Sequence, residues 1–311
     1  MDPTMSLLIE ETIVDLGNSD KPLLNSRLID LSNLNSEELR LFEQAWATIK
    51  PKRQRQIMSR LIELDEDNVE LSFESIFRNR LKDQDAEVQS KAIEGLWESE
   101  DASLINPLIN LLEQGSSEKV QVAAATGLGK FAMLAEHKKL RSCHTLKVCQ
   151  ALLTAIDDKS KPIEARRRAL EAVAPLSLPQ VKEAIMNAYQ SHDSKLKINA
   201  IYAMGKNCDC SWLPTLLKEL ASDDAEIRYE AAGACGKLEE EEAVPPLIGL
   251  INDPDIDVQL AAIQALGKIG GTEAKEHLQQ CLNNPSEAIR QAAEQALQEP
   301  EAGEDQLSFR L

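Results

Sequence analysis

Aromatic side chains are scarce in this chain, only 4% of 311 residues, against 43% hydrophobic residues of all kinds. That balance excludes a core built on large rings and leaves aliphatic side chains and alanines to pack at close range. Basic residues are also outnumbered, 34 Lys and Arg facing 52 Asp and Glu for a formal charge of −18. So acidic a chain is unsuited to neutralising a phosphate backbone, which argues against a nucleic-acid partner and favours solubility. The basic runs are short: Lys52, Arg53, Arg55 and Arg60, then Lys138, Lys139 and Arg141, then Arg166 to Arg168. They read as solvated helix faces. No run of about 18 apolar residues occurs, so no membrane span is expected. Residues 1–17 hold Asp2, Glu10, Glu11 and Asp15 without an early Lys or Arg, the wrong pattern for a secretory signal. A cytosolic location is expected. Cysteine is sparse too, six in all. Cys235 and Cys281 fall at apolar positions, as buried small hydrophobes do, and no disulfide framework is predicted.

What the chain does have is a phrase that returns. Its clearest form is Val258-Gln-Leu-Ala-Ala-Ile-Gln-Ala-Leu-Gly267, and the first residue of each copy serves as an anchor: Val88, Val120, Ala165, Leu196, Ile227, Val258 and Ile289. The last four steps are each 31 residues. Four positions after every anchor stands alanine, seven after it Gly or Ala, and eight after it Leu96, Leu128, Val173, Met204, Cys235, Leu266 or Leu297. Those spacings put one apolar stripe on a helix, and a period of this length marks stacked helix pairs. The fold class predicted is all-α, a right-handed α-solenoid of about eight stacked helix pairs.

Each pair can be read from residues 243–268. A first helix opens on Pro245 and Pro246, whose missing N–H groups cost nothing there. A turn holding Asp253, Asp255 and Asp257 follows, then the anchor helix. Asp85, Asp193, Asp224 and Asp255 are expected to cap the second helices, and Gly129, Gly205, Gly236 and Gly267 to end them in a left-handed conformation. Counting back from Val88 gives Ile57 as the anchor of a divergent first pair lacking the alanine, with Trp46, Phe77, Leu247 and Leu278 in one shared place eleven residues before their anchors. A helix start is signalled at Ser36. The step from Val120 to Ala165 is 45 residues, about 14 too many, so residues 132–145 are expected as a longer second helix, a projecting loop or a contact element. Residues 1–35 read as an N-terminal cap or arm, 36–298 as the repeat solenoid and 299–311 as an acidic disordered tail.

The pattern Pro-x-Leu, an Asp-rich turn, then [Val/Ile]-[Arg/Gln]-x-x-Ala-x-x-Ala-Leu-Gly resembles the HEAT-repeat family, most closely the bacterial HEAT-like repeats of the phycobilin-lyase type. The resemblance covers residues 80–298 well and 36–79 weakly. It implies a superhelix whose second helices line the concave face. It also implies a ladder in which the residue after each anchor (Gln89, Gln121, Arg166, Lys197, Arg228, Gln259 and Arg290) bonds turn carboxylates of adjacent units.

On such helices, positions two, three and six after the anchor face outward, and the resemblance makes them the groove floor. The residues read there include Arg167 and Arg168; Ile198, Asn199 and Tyr202; Tyr229 and Glu230; Leu260 and Gln264. This apolar and aromatic set predicts a partner-binding surface. Catalytic patterns fail. The four histidines are scattered, and none stands in the His-Glu dipeptides of iron-binding HEAT-like hydroxylases. Cys208-Asp-Cys210 lacks the second pair that zinc needs. Val258 stands where a calcium loop needs glycine, leaving Asp253, Asp255 and Asp257 as a capping cluster. Glu239 to Glu242 reads as a solvated turn. No catalytic residue, metal or cofactor is predicted. The function expected is a non-catalytic scaffold for a protein or peptide partner; the alternative, from the resemblance alone, is a phycobilin-lyase-like enzyme or lyase subunit.

Overall fold

The structure is a computed structural model that describes residues 12–18, 21–115 and 117–298. The acidic tail expected over 299–311 and the first part of the expected cap, with Leu7, Leu8 and Ile9, lie outside the described residues. Among the described residues there is no strand. The chain divides into two compact units, one ending at Arg168 and the other beginning at Ala169.

In the N-terminal unit, residues 12–17 (α1) and α2 (Asn25–Ile29) precede three helix pairs: α3 (Ser36–Trp46) with α4 (Pro51–Asp67), α5 (Glu74–Arg80) with α6 (Ala86–Gly95), and α7 (Ile105–Gln114) with α8 (Glu118–Glu136). Then come α9 (Ser142–Asp157) and α10 (Ile163–Val173), within which the unit ends. The second unit holds α11 (Pro179–Tyr189) with α12 (Ser194–Asn207), α13 (Leu213–Glu219) with α14 (Ala225–Leu238), α15 (Val244–Leu250) with α16 (Ile256–Ile269), and α17 (Thr272–Cys281) with α18 (Glu287–Gln298). Within each unit successive second helices pack directly together, α4 on α6 and α6 on α8, then α12 on α14, α14 on α16 and α16 on α18. These are the stacked pairs of an α-solenoid.

The periodic stripe is the seam of this packing. Every anchor is buried, and all seven alanines four residues on are fully buried. Ile57 and Leu61 take the same places in the divergent pair, also fully buried. The seam is filled by a methyl group at the seven alanines and by the Leu61 side chain in the divergent pair.

Capping follows the aspartates. Asp85, Asp193, Asp224 and Asp255 are the N-caps of α6, α12, α14 and α16, each accepting from backbone N–H groups of the first turn. For α3 the cap is Asn35, not Ser36: its side chain accepts from Glu37 and Glu38 N–H while Glu38 reaches back to the Asn35 N–H, a reciprocal capping box. The extra residues after Val120 lengthen helices. Helix α8 runs 19 residues against 14 for α12, α14 and α16, and α9 runs 16.

The expected role of the glycines needs correction. Gly205, Gly236 and Gly267 sit inside their helices, which run two residues further before Cys208 (φ 52°), Glu239 (φ 57°) and Gly270 (φ 70°) take positive φ. Gly129 likewise lies within α8. A Cβ on Gly205 would stand 2.6 Å from the Ala234 Cα, one on Gly236 2.7 Å from the Ala265 Cα, and one on Gly267 2.7 Å from the Ala296 Cβ. Glycine is therefore needed where α12, α14 and α16 each cross the next second helix.

The side chains one residue after the anchors mostly do something simpler than the ladder implied. Gln89, Gln121, Arg166 and Arg290 donate to the carbonyls of Leu81, Gly115, Ile156 and Asn284, just before their own helix, satisfying ends the preceding helix or turn leaves open. Gln259 donates likewise to the Asp253 carbonyl. Only Lys197 and Arg228 reach a carboxylate of the next pair. Lys197 Nζ lies 3.3 Å from Glu219, and Arg228 grips Asp253 through two bonds of 2.8 Å. Arg228 hydrogen bonding holds the Asp253 carboxyl below its usual range. Arg53, expected in solvent, is buried, donating to the Leu16 and Lys21 carbonyls at 2.7 and 3.1 Å.

One polar clasp has no counterpart in the repeat pattern. Asn207, the last residue of α12, is 5% exposed; its Nδ2 donates to the carbonyls of Ala174 (2.7 Å) and Leu176 (3.3 Å), and its Oδ1 accepts from the Trp212 indole (2.9 Å). A single amide thus ties the chain after α10 to α12 and to the start of the next pair.

Candidate interaction face

The outward sides of α12, α14 and α16 carry most of the expected site. Tyr229 is 44% exposed and Gln264 is exposed; Tyr202, Glu230 and Leu260 are half-buried. Ile198 and Asn199 depart from expectation, at only 6% and 2% exposed. Both side chains are enclosed by the packing of α12, and Asn199 Nδ2 donates to Glu171 of α10 at 2.5 Å. They are packing residues, and the apolar floor expected from the helical wheel shrinks accordingly.

Beside Tyr202 runs a column of cations absent from the expected site. Lys206, Lys237 and Lys268 each stand ten residues after an anchor. The Lys237 ammonium lies 4.1 Å from the centroid of the Tyr202 ring, close enough for a cation–π contact. Burial depresses Lys206 and Lys237 below the ordinary lysine range. Glu171 opposes this at Lys206, while at Lys237 Glu230 opposes it and the neighbouring Lys206 and Lys268 reinforce it. Lys237 thus lies within reach of the charges of both Lys206 and Lys268. In a chain of charge −18 this column was legible in the sequence, at a fixed repeat position. Tyr229 borders a different environment, a shallow cavity of about 550 Å³ lined with Glu226, Asp255 and Asp257.

Arg167 and Arg168 belong to the N-terminal unit. Both are half-buried and pair with Glu164, at 2.8 and 3.1 Å. Among the cysteines, Cys149, Cys235 and Cys281 are buried, whereas Cys143, Cys208 and Cys210 are exposed, and none of the six is in a disulfide. Burial pushes the Cys235 thiol up to about 12, which keeps it protonated and inert. Among the described residues no helix is long and apolar enough to cross a membrane.

Among solved structures the chain is similar to an engineered protein (18% identity over 93% of this chain and 87% of that one, TM-score 0.42). It is also similar to YibA of Escherichia coli (16% identity, 74% and 94%, TM-score 0.46) and to human deoxyhypusine hydroxylase (18%, 95% and 98%, TM-score 0.34). A search of curated proteins found no match. The profile of HEAT repeats matches residues 75–163 and 213–298; it does not extend to the phycobilin-lyase type. Those two stretches make up more than half of the chain and carry the buried anchors and alanines of most of the described pairs, and the chain belongs to the HEAT-repeat family.

Proposed function

We propose that this chain is a non-catalytic interaction scaffold that holds a protein or peptide partner against the exposed sides of α12, α14 and α16. The observation that carries the reading is the grouping of Tyr202 beneath Lys237, exposed Tyr229 and exposed Gln264 on consecutive second helices. Tyrosine offers a large contact area with little rotamer entropy to lose, and its hydroxyl suits a wet interface. Lysines already part-desolvated lose less hydration when covered by a partner's carboxylates or carbonyls. Leu260, Glu230 and Gln264 contribute shape and rim contacts, and stacked-helix repeats supply such extended surfaces by construction.

The test is affinity capture from a lysate of the source cells with the full chain and with Tyr202→Ala/Tyr229→Ala. A captured protein should be recovered about tenfold less with the double variant, the equivalent of roughly 1.4 kcal/mol. Tyr229→Ala alone, at an exposed position, should give part of that loss with no change in unfolding midpoint. Recovery undiminished by the double variant would remove the tyrosine face from the proposal.

A further inference from the structure

A different opening lies in the N-terminal unit, beside the turn that follows α6. Nine residues after their anchors α8, α12, α14 and α16 carry glycine, whereas the corresponding residue of the α6 pair is Trp97. Helix α6 stops at Gly95, and Trp97 is 54% exposed, while Trp46 and Trp212 are buried. Trp97 borders a cavity of about 360 Å³ whose lining includes Ile93, Ala123, Ser90, Glu66 and Glu94. Both glutamates are exposed. Ser90 is only 8% exposed, and its hydroxyl takes no partner among the described residues. The turn itself is held: the Trp97 carbonyl accepts from Lys130 Nζ. Negative charge extends past the cavity, since the Asp65 carboxyl is pushed up by burial and then by Glu98, Glu66 and Glu74.

We infer that this cavity receives an arginine side chain from a basic segment of a partner protein. The guanidinium stacks on the Trp97 indole and faces Glu66 and Glu94, while its methylene stem lies on Ile93 and Ala123 and Ser90 Oγ accepts one N–H. An indole face beside carboxylates selects a flat, weakly hydrated cation over an ammonium ion, and the net charge of −18 favours approach of a basic segment. This site belongs to the N-terminal unit and shares no residue with the tyrosine face, so either can fail without the other.

The full chain labelled with 5-fluorotryptophan gives three ¹⁹F resonances, one per tryptophan, with that of Trp97 assigned through Trp97→Phe. Titration with the capped peptide Ac-Ala-Arg-Ala-Arg-Ala-NH₂ should shift the Trp97 resonance saturably and leave the other two in place. The citrulline counterpart, neutral and of the same shape, should not shift it, and the lysine counterpart should bind more weakly. Glu66→Gln/Glu94→Gln, two exposed positions that leave the fold intact, should weaken the arginine peptide about tenfold. An unmoved Trp97 resonance, an equal response to citrulline or lysine, or undiminished binding by the Glu66→Gln/Glu94→Gln variant would overturn the assignment.

Discussion

Alanine at Gly236 should destabilise the chain by about 2 kcal/mol, while alanine at Gly233, one turn earlier in the same helix, should stabilise it by about 0.5–1 kcal/mol. Helix propensity favours both substitutions equally, because glycine costs up to about 1 kcal/mol relative to alanine inside a helix. What differs is the space. A Cβ on Gly233 meets nothing within 4 Å, whereas on Gly236 it stands 2.7 Å from the Cα and 2.9 Å from the Cβ of Ala265. Backbone cannot swing aside as a long side chain can, so α14 and α16 would have to separate, and the loss of packing outweighs the gain in propensity. Gly236→Val should cost about 3 kcal/mol or more. Urea unfolding followed by circular dichroism reads both signs. If Gly236→Ala raises the midpoint as Gly233→Ala does, the crossing is not tight and the second helices owe their glycines to something else.

Asn207→Leu should cost about 3–5 kcal/mol, more than any single contact at that residue suggests. Leucine keeps the branched, four-heavy-atom shape of asparagine and is bulkier, so no cavity opens, yet the substitution strands the Ala174 carbonyl and the Trp212 indole N–H at once and leaves the Leu176 carbonyl with the Leu178 N–H alone. Each buried group left without a partner costs about 1–3 kcal/mol, and with Asn207 only 5% exposed little water can replace the amide. Trp212→Phe removes one donor and leaves one acceptor unpaired, so about 1–2 kcal/mol is expected from it. In the double variant the two losses should sum to less than their separate values, because the Asn207–Trp212 bond is counted once. Unfolding midpoints of the three variants check this; strict additivity, or a loss below about 1 kcal/mol for Asn207→Leu, would mean that the clasp is not shared as the geometry implies.

These two residues also show what the sequence made legible. The anchor and its alanine declare themselves because seven copies repeat one packing role, and the aspartate caps because one hydrogen-bonding role recurs before α6, α12, α14 and α16. The glycines were visible but misread. A helical wheel says which way a residue points; it does not say how near the next helix lies, and for Gly205, Gly236 and Gly267 nearness is the whole explanation. The same limit puts Ile198 and Asn199 on the surface of a helical wheel, when packing buries both. Asn207 left no periodic trace, since its three partners are joined only by folding. Lys206, Lys237 and Lys268 were readable at a constant register, but attention to the apolar stripe passes over a polar column running beside it. Trp97 breaks the glycine rule at its position, and departure from a repeat is itself a signal.

The central claim, that a partner lies on the outward sides of the second helices of the C-terminal unit, is tested most directly by placing a photo-crosslinking amino acid at one position at a time. Tyr229 and Gln264 on α14 and α16 report on that face, and exposed Lys218 on the first helix α13 serves as the control. Irradiation in the source cells should join one protein to the chain from positions 229 and 264 and not from 218. Adducts from 218 with none from 229 or 264 would contradict the account and place the partner on the first helices instead.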